Sequence, residues 1–219
     1  MSKKKLYGSL FLNSFTLVSV IVCMIILIKR NPNTFRMFTT ESNLISGIVS
    51  LIIVIFEILI LIKKRKNLPN WLNKLKMITT TGVSLTLVVV VFYLGFVAIS
   101  QGYNYFIVFR GTNICFHFLT PVSAILSFIL FEGSNINFKF TFLNLIHMVS
   151  YTIFYVINVF THLNNGKADK KYDWYYFVVG ENYTIIFMVV IILIVTYFIG
   201  FILWLLNKKI YIKNILKAE

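Results

Sequence analysis

Two hydroxyls and one imidazole carry the strongest chemical signal in the sequence. Thr39 and Thr40 open a polar run, Thr39-Thr40-Glu41-Ser42-Asn43, at the start of an apolar stretch. Such residues commonly cap a helix, because their oxygens accept hydrogen bonds from N–H groups that lack an intrahelical partner. The same place also suits a nucleophilic hydroxyl, since the positive end of the helix dipole helps to stabilise an oxyanion. His117 lies in a second apolar stretch, four residues before Pro121. Proline has no N–H, so the carbonyl of His117 is expected to lose its helical partner and the helix to open there. A titratable residue inside an apolar span marks a functional site, unless it only bonds a neighbouring helix. Asn113, four residues ahead of His117, shares its helical face and is placed to orient the ring. Cys115 is two residues away, so it points elsewhere and reads as a packing residue.

Other buried polar groups are fewer. Glu57 and His147 each fall about two turns from the same end of their stretches, which makes them candidates for a hydrogen-bonded pair. His162, Asp169 and Asp173 fall in a loop, where solvent accounts for them, although His162 could line the mouth of a site. Cys23 and Cys115 show no CxxC or Cys/His spacing, so neither a disulfide framework nor a metal site is expected.

These residues sit in a chain that water could not solvate. Of 219 residues, 58% are hydrophobic and 13% charged, and the mean hydropathy is +0.84. A soluble domain carries about 25% charged residues. Apolar runs fall at about 6–28, 43–62, 78–99, 113–131, 141–161 and 182–206, and roughly 20 apolar residues cross a bilayer as a helix. The expectation is one all-α domain over residues 1–219, a polytopic bundle of six transmembrane helices. The run after Lys3-Lys4-Lys5 is too long for a signal peptide and reads as a retained first span. Six spans place both termini on one side. Lys29, Arg30, Arg36, Arg110, Lys167, Lys170 and Lys171 fall on the other, leaving fourteen of the 21 basic residues with the termini. The positive-inside rule then makes N and C termini cytoplasmic in a multi-pass cell-membrane protein. The net charge of +14 reports topology in this way, not a nucleic-acid partner. Thr39, Thr40 and His117 come to similar depth near the outer face, and a hydroxyl beside an imidazole is the minimum apparatus for acyl transfer.

The segments Phe38-Thr39-Thr40-Glu41-Ser42-Asn43-Leu44 and His117-Phe118-Leu119-Thr120-Pro121 together resemble the signatures of the androgen-induced-gene family, which includes small bacterial six-helix membrane proteins. The aromatic stretch Tyr172-Asp173-Trp174-Tyr175-Tyr176-Phe177 resembles the family more loosely. The resemblance implies a six-helix fold and hydrolysis of fatty-acyl esters, with a threonine nucleophile and His117 as general base. Bacterial spacing selects Thr39, animal spacing Thr40. The implied substrate is a membrane lipid or acyl ester, and no cofactor is called for. Asn43, Asn113, Pro121 and His162 would surround the pair. The rival reading is a non-enzymatic small-solute transporter, or a substrate-capture or accessory membrane protein. A transporter would favour helices broken near the midplane, whereas Pro121 lies near one surface.

Overall fold

The computed structural model describes residues 3–30, 32–132, 134–164, 167–169, 171–175 and 183–216. Six helices run through them: α1 (Lys3–Arg30), α2 (Phe38–Leu61), α3 (Asn70–Ser100), α4 (Cys115–Phe131), α5 (Phe138–Thr161) and α6 (Tyr183–Ile215). A two-residue antiparallel ladder, Leu163–Asn164 with Lys167–Ala168, follows α5. Five helices are long and apolar enough to cross a membrane, and α4 is a shorter apolar helix. At 1.5 Å per residue α4 reaches about 25 Å. These helices are compatible with an integral membrane protein. Lys170, Tyr176, Phe177 and Lys217 lie outside the described residues.

The helices form one bundle around α3, which packs against α2, α4, α5 and α6. Residues 79–86 of α3, Thr-Thr-Thr-Gly-Val-Ser-Leu-Thr, are all buried. A helix buried on every side is central, and small residues let its neighbours approach closely. Its hydroxyls turn back onto its own carbonyls: Thr81 donates to Met77 and Ser84 to Thr80. The outward faces carry large apolar side chains, such as Phe11 at 69% and Phe92 at 71% exposure. Lipid satisfies such faces and water does not.

The helices differ from the expected spans in ways that matter. Helix α2 starts at Phe38, so Thr39 to Asn43 lie inside its first turns. Its N-cap is Met37, with no side-chain cap, and none of the polar residues caps it. The hydroxyl of Tyr175 accepts the Phe38 N–H instead. Helix α3 starts at Asn70 directly after Pro69, eight residues before position 78. That carries Lys76 from the expected loop into the bundle. Three π-helical segments interrupt the regular register, at Val90–Leu94, Cys115–Leu119 and Ser127–Phe131. Such segments often mark functional positions. The end of the bundle where α1 finishes and α2 starts is called upper below, and the opposite end lower.

Candidate functional site

The upper site is built where α2 meets the π segment of α4. In that segment the Thr120 N–H donates to the carbonyl of Cys115, five residues back. The π register moves the gap left by Pro121 from His117 to Phe116, because Phe116 is the residue five before the proline. The freed Phe116 carbonyl accepts Asn43 Nδ2 at 3.1 Å and Thr86 Oγ1 at 3.4 Å. Asn43 Nδ2 also donates to the Thr39 carbonyl at 2.8 Å. One amide therefore ties the start of α2 to the residue beside His117.

Around that tie, His117 is half-buried, and its Nδ1 has no hydrogen-bond partner among the described residues. Thr39 is half-buried and Thr40 buried. Asn113 is exposed and leaves His117 Nδ1 unmet, so it does not orient the ring. The π segment between them breaks the four-residue alignment that placed both on one face. His162 is exposed, stacks on Tyr172 at 3.8 Å and bonds the Asn158 carbonyl in the last turn of α5 at 2.8 Å.

That loop roofs the upper end. Trp174 Nε1 donates to the Tyr151 hydroxyl at 3.1 Å, and Tyr151 donates to the Arg36 carbonyl at 2.7 Å. Arg36 lies over the Trp174 ring. Asp173, expected in solvent, is buried and accepts the Tyr155 hydroxyl. Burial raises the Tyr175 phenol above its usual range, so it stays a neutral acceptor for the Phe38 N–H.

The expected pairing of Glu57 with His147 is not made. His147 lies tilted against Phe38, ring centroids 4.9 Å apart, and faces Gly82. A Cβ on Gly82 would sit 2.8 Å from His147 Nδ1 and 3.5 Å from the Ser42 Cβ. His147 is thus level with Ser42, and Glu57 is fifteen residues further down α2, about 22 Å along the axis. Neither ring nitrogen of His147 and neither oxygen of Glu57 has a hydrogen-bond partner among the described residues. Equal counting from helix ends misled here because the true ends differ from the apolar runs: His147 stands nine residues above the start of α5 at Phe138, and Glu57 only four from the end of α2 at Leu61. Since Gly82 leaves His147 its space, Gly82→Ala is expected to cost about 1–3 kcal/mol through overpacking. A thermal melt in detergent checks this, and wild-type behaviour would show the approach is not close.

A second polar centre lies at the lower end, where the sequence reading placed Glu57 but neither Lys76 nor Glu132. Lys76 Nζ donates to Asn13 Oδ1 at 2.6 Å and to Ser50 Oγ at 3.4 Å. Asn13 Nδ2 donates to Glu132 Oε1 at 2.6 Å and to Ser127 Oγ at 3.0 Å. Ser9 and Ser127 also donate to Glu132 Oε1. Glu57 lies beside Ser9, within charge–charge range of Glu132 and Lys76. Lys76 and Glu57 are 0% exposed and Glu132 is 3% exposed. The missed signal was Pro69, which marks a helix start early enough to carry Lys76 inside.

The class defined by these observations is an apolar six-helix bundle with buried polar centres near both ends. No family model, no curated protein and no solved structure matches the chain.

Proposed function

We propose that the chain is a multi-pass protein of the cell membrane, with six spans, cytoplasmic termini and an acyl-ester hydrolase site at its upper, outward end. This is the activity that the resemblance to the androgen-induced-gene family implies. The observation that supports it most is the Asn43 side chain joining the Thr39 and Phe116 carbonyls, which brings the threonines and His117 onto neighbouring elements. Thr39 is the preferred nucleophile because it lies one turn above Asn43 and is half-buried, whereas Thr40 is buried. In the reaction, Thr39 Oγ attacks the acyl carbonyl while His117 accepts its proton. The tetrahedral intermediate expels the alcohol, which takes that proton from His117. Water then adds to the acyl-threonine, gives a proton to His117, and releases the carboxylic acid as Thr39 regains a proton.

A fluorophosphonate probe tests the site without knowledge of the natural substrate. Folded protein is expected to be labelled at Thr39, and His117→Ala to abolish labelling while keeping the melting temperature. Absence of label, or label elsewhere, counts against the site. Topology is tested separately. Single cysteines at Lys64 and Lys209 should react with an impermeant thiol reagent only from the cytoplasmic side, and one at Lys171 only from outside. Reaction of Lys64→Cys from outside would invert the orientation.

The lower centre favours a second reading, a small-solute transporter, because buried charged groups between helices commonly line ion and proton paths.

A further inference from the structure

The chemistry proposed for the upper site makes no use of the lower centre. Its formal charges do not balance. Lys76 supplies one positive charge, and Glu57 and Glu132 one negative charge each, all nearly or fully shut off from solvent. A buried, uncompensated carboxylate is too costly to persist as an ion and takes up a partner charge.

The hydrogen bonds identify which carboxylate is left over. Glu132 Oε1 accepts from Ser9, Asn13 and Ser127, and Asn13 passes the contact on to the Lys76 ammonium. Glu132 and Lys76 therefore form a relay through one amide, whose oxygen faces the cation and whose nitrogen faces the anion. Among the described residues neither Glu57 oxygen has a donor within hydrogen-bond distance, and Ser9, its neighbour, gives its proton to Glu132 Oε1 at 3.2 Å. It sits one turn from Leu61, the last residue of α2, close to the aqueous phase at the lower end.

We propose that the lower centre is a proton-binding site, with the exchangeable proton carried by Glu57 beside the Lys76–Asn13–Glu132 relay.

The charged groups around Glu57 come from each neighbouring helix. Helix α3 supplies Lys76, and Glu132 stands at the end of α4. On α1, Lys5 lies one turn before Ser9, toward the lower rim. Lys74 and Lys208 are spent on the Phe140 and Trp204 rings. On α6 the buried group nearby is the neutral Asn207, which bonds the Phe128 carbonyl at 2.6 Å. Among the described residues, Lys76 is the one cation inside this core, and it already serves the relay.

Infrared spectroscopy of the full chain in lipid nanodiscs tests this, with glutamate carrying a carbon-13 carboxyl. The label separates the glutamates from Asp173, the other buried acid. At neutral pH a carboxylic-acid C=O band is expected to shift with the label. One acid's share of that band should vanish in Glu57→Gln and remain in Glu132→Gln. The proposal is overturned if no such band exists or if it survives Glu57→Gln. It is equally overturned if exchanging choline for sodium or potassium removes the band, since a metal cation would then hold the site. Glu57→Gln mimics the loaded state and is expected to fold and melt like the wild type. Its failure to fold would show that Glu57 must be charged, which also overturns the proposal.

Discussion

Replacing Lys76 with methionine is expected to cost about 3–5 kcal/mol of stability. Removing one partner of a buried ion pair leaves the other uncompensated, and this exceeds the worth of the pair itself. In this case the loss is compounded. Asn13 Oδ1 and Ser50 Oγ both lose their donor, and Glu132 keeps its neutral donors but no cation. Typical stabilities are about 5–15 kcal/mol, so such a loss is expected to show as a large fall in folded yield and melting temperature in detergent. The double variant Lys76→Met/Glu132→Gln should recover much of it, because both charges are then gone together. A single variant that melts with the wild type would mean the relay is not closed. Failure of the double to recover would mean that Lys76 acts chiefly through Ser50 and Asn13.

The fold was legible because it rests on length and polarity. Runs of about 20 apolar residues can only be helices if lipid surrounds them, and six helices are found. What the runs could not give was their ends. Hydropathy puts the start of the third span at Ile78, yet backbone hydrogen bonding continues down to Asn70, past Asn73, Lys74 and Lys76. Lys76 is paired inside the bundle, and no single-residue scale records a partner on another helix. Glu132 was hidden for the same reason, since it looks like a turn residue until Ser9, Asn13 and Ser127 are seen around it. At the upper end the polar residue types were legible, but the local geometry was not. The π segment at Cys115–Leu119 shifts the register by one residue. It moves the proline's gap from His117 to Phe116 and separates Asn113 from the ring it was expected to orient. Depth counted from helix ends failed for His147, which the contact at Gly82 places level with Ser42 rather than with Glu57.

Removing the imidazole of His117 is expected to lower turnover of a chromogenic acyl ester by about 10²–10⁴-fold, the range a positioned general base supplies. A threonine hydroxyl is a weak nucleophile at neutral pH, so its proton must leave as the bond forms. If binding comes from apolar contacts with the acyl chain, the loss should fall on kcat and leave KM nearly unchanged, since the base acts only in the transition state. Thr39→Ala should lose as much and Thr39→Ser much less, because serine keeps the hydroxyl. Nucleophile and base act as one unit, so combining His117→Ala with Thr39→Ala should add little to either. His147→Ala is the decisive comparison. Neither nitrogen of its ring has a partner among the described residues, and it stands across Gly82 from Ser42, so the bundle contains a second imidazole near a second hydroxyl. A large kcat loss in His147→Ala, with His117→Ala unaffected, would move the base to α5 and the nucleophile to Ser42. A loss confined to His117 and Thr39 assigns the chemistry to the junction that Asn43 holds together. Asn43→Ala should then lower kcat as well, through positioning alone, and partial retention of activity with intact fluorophosphonate labelling would distinguish it from loss of the base.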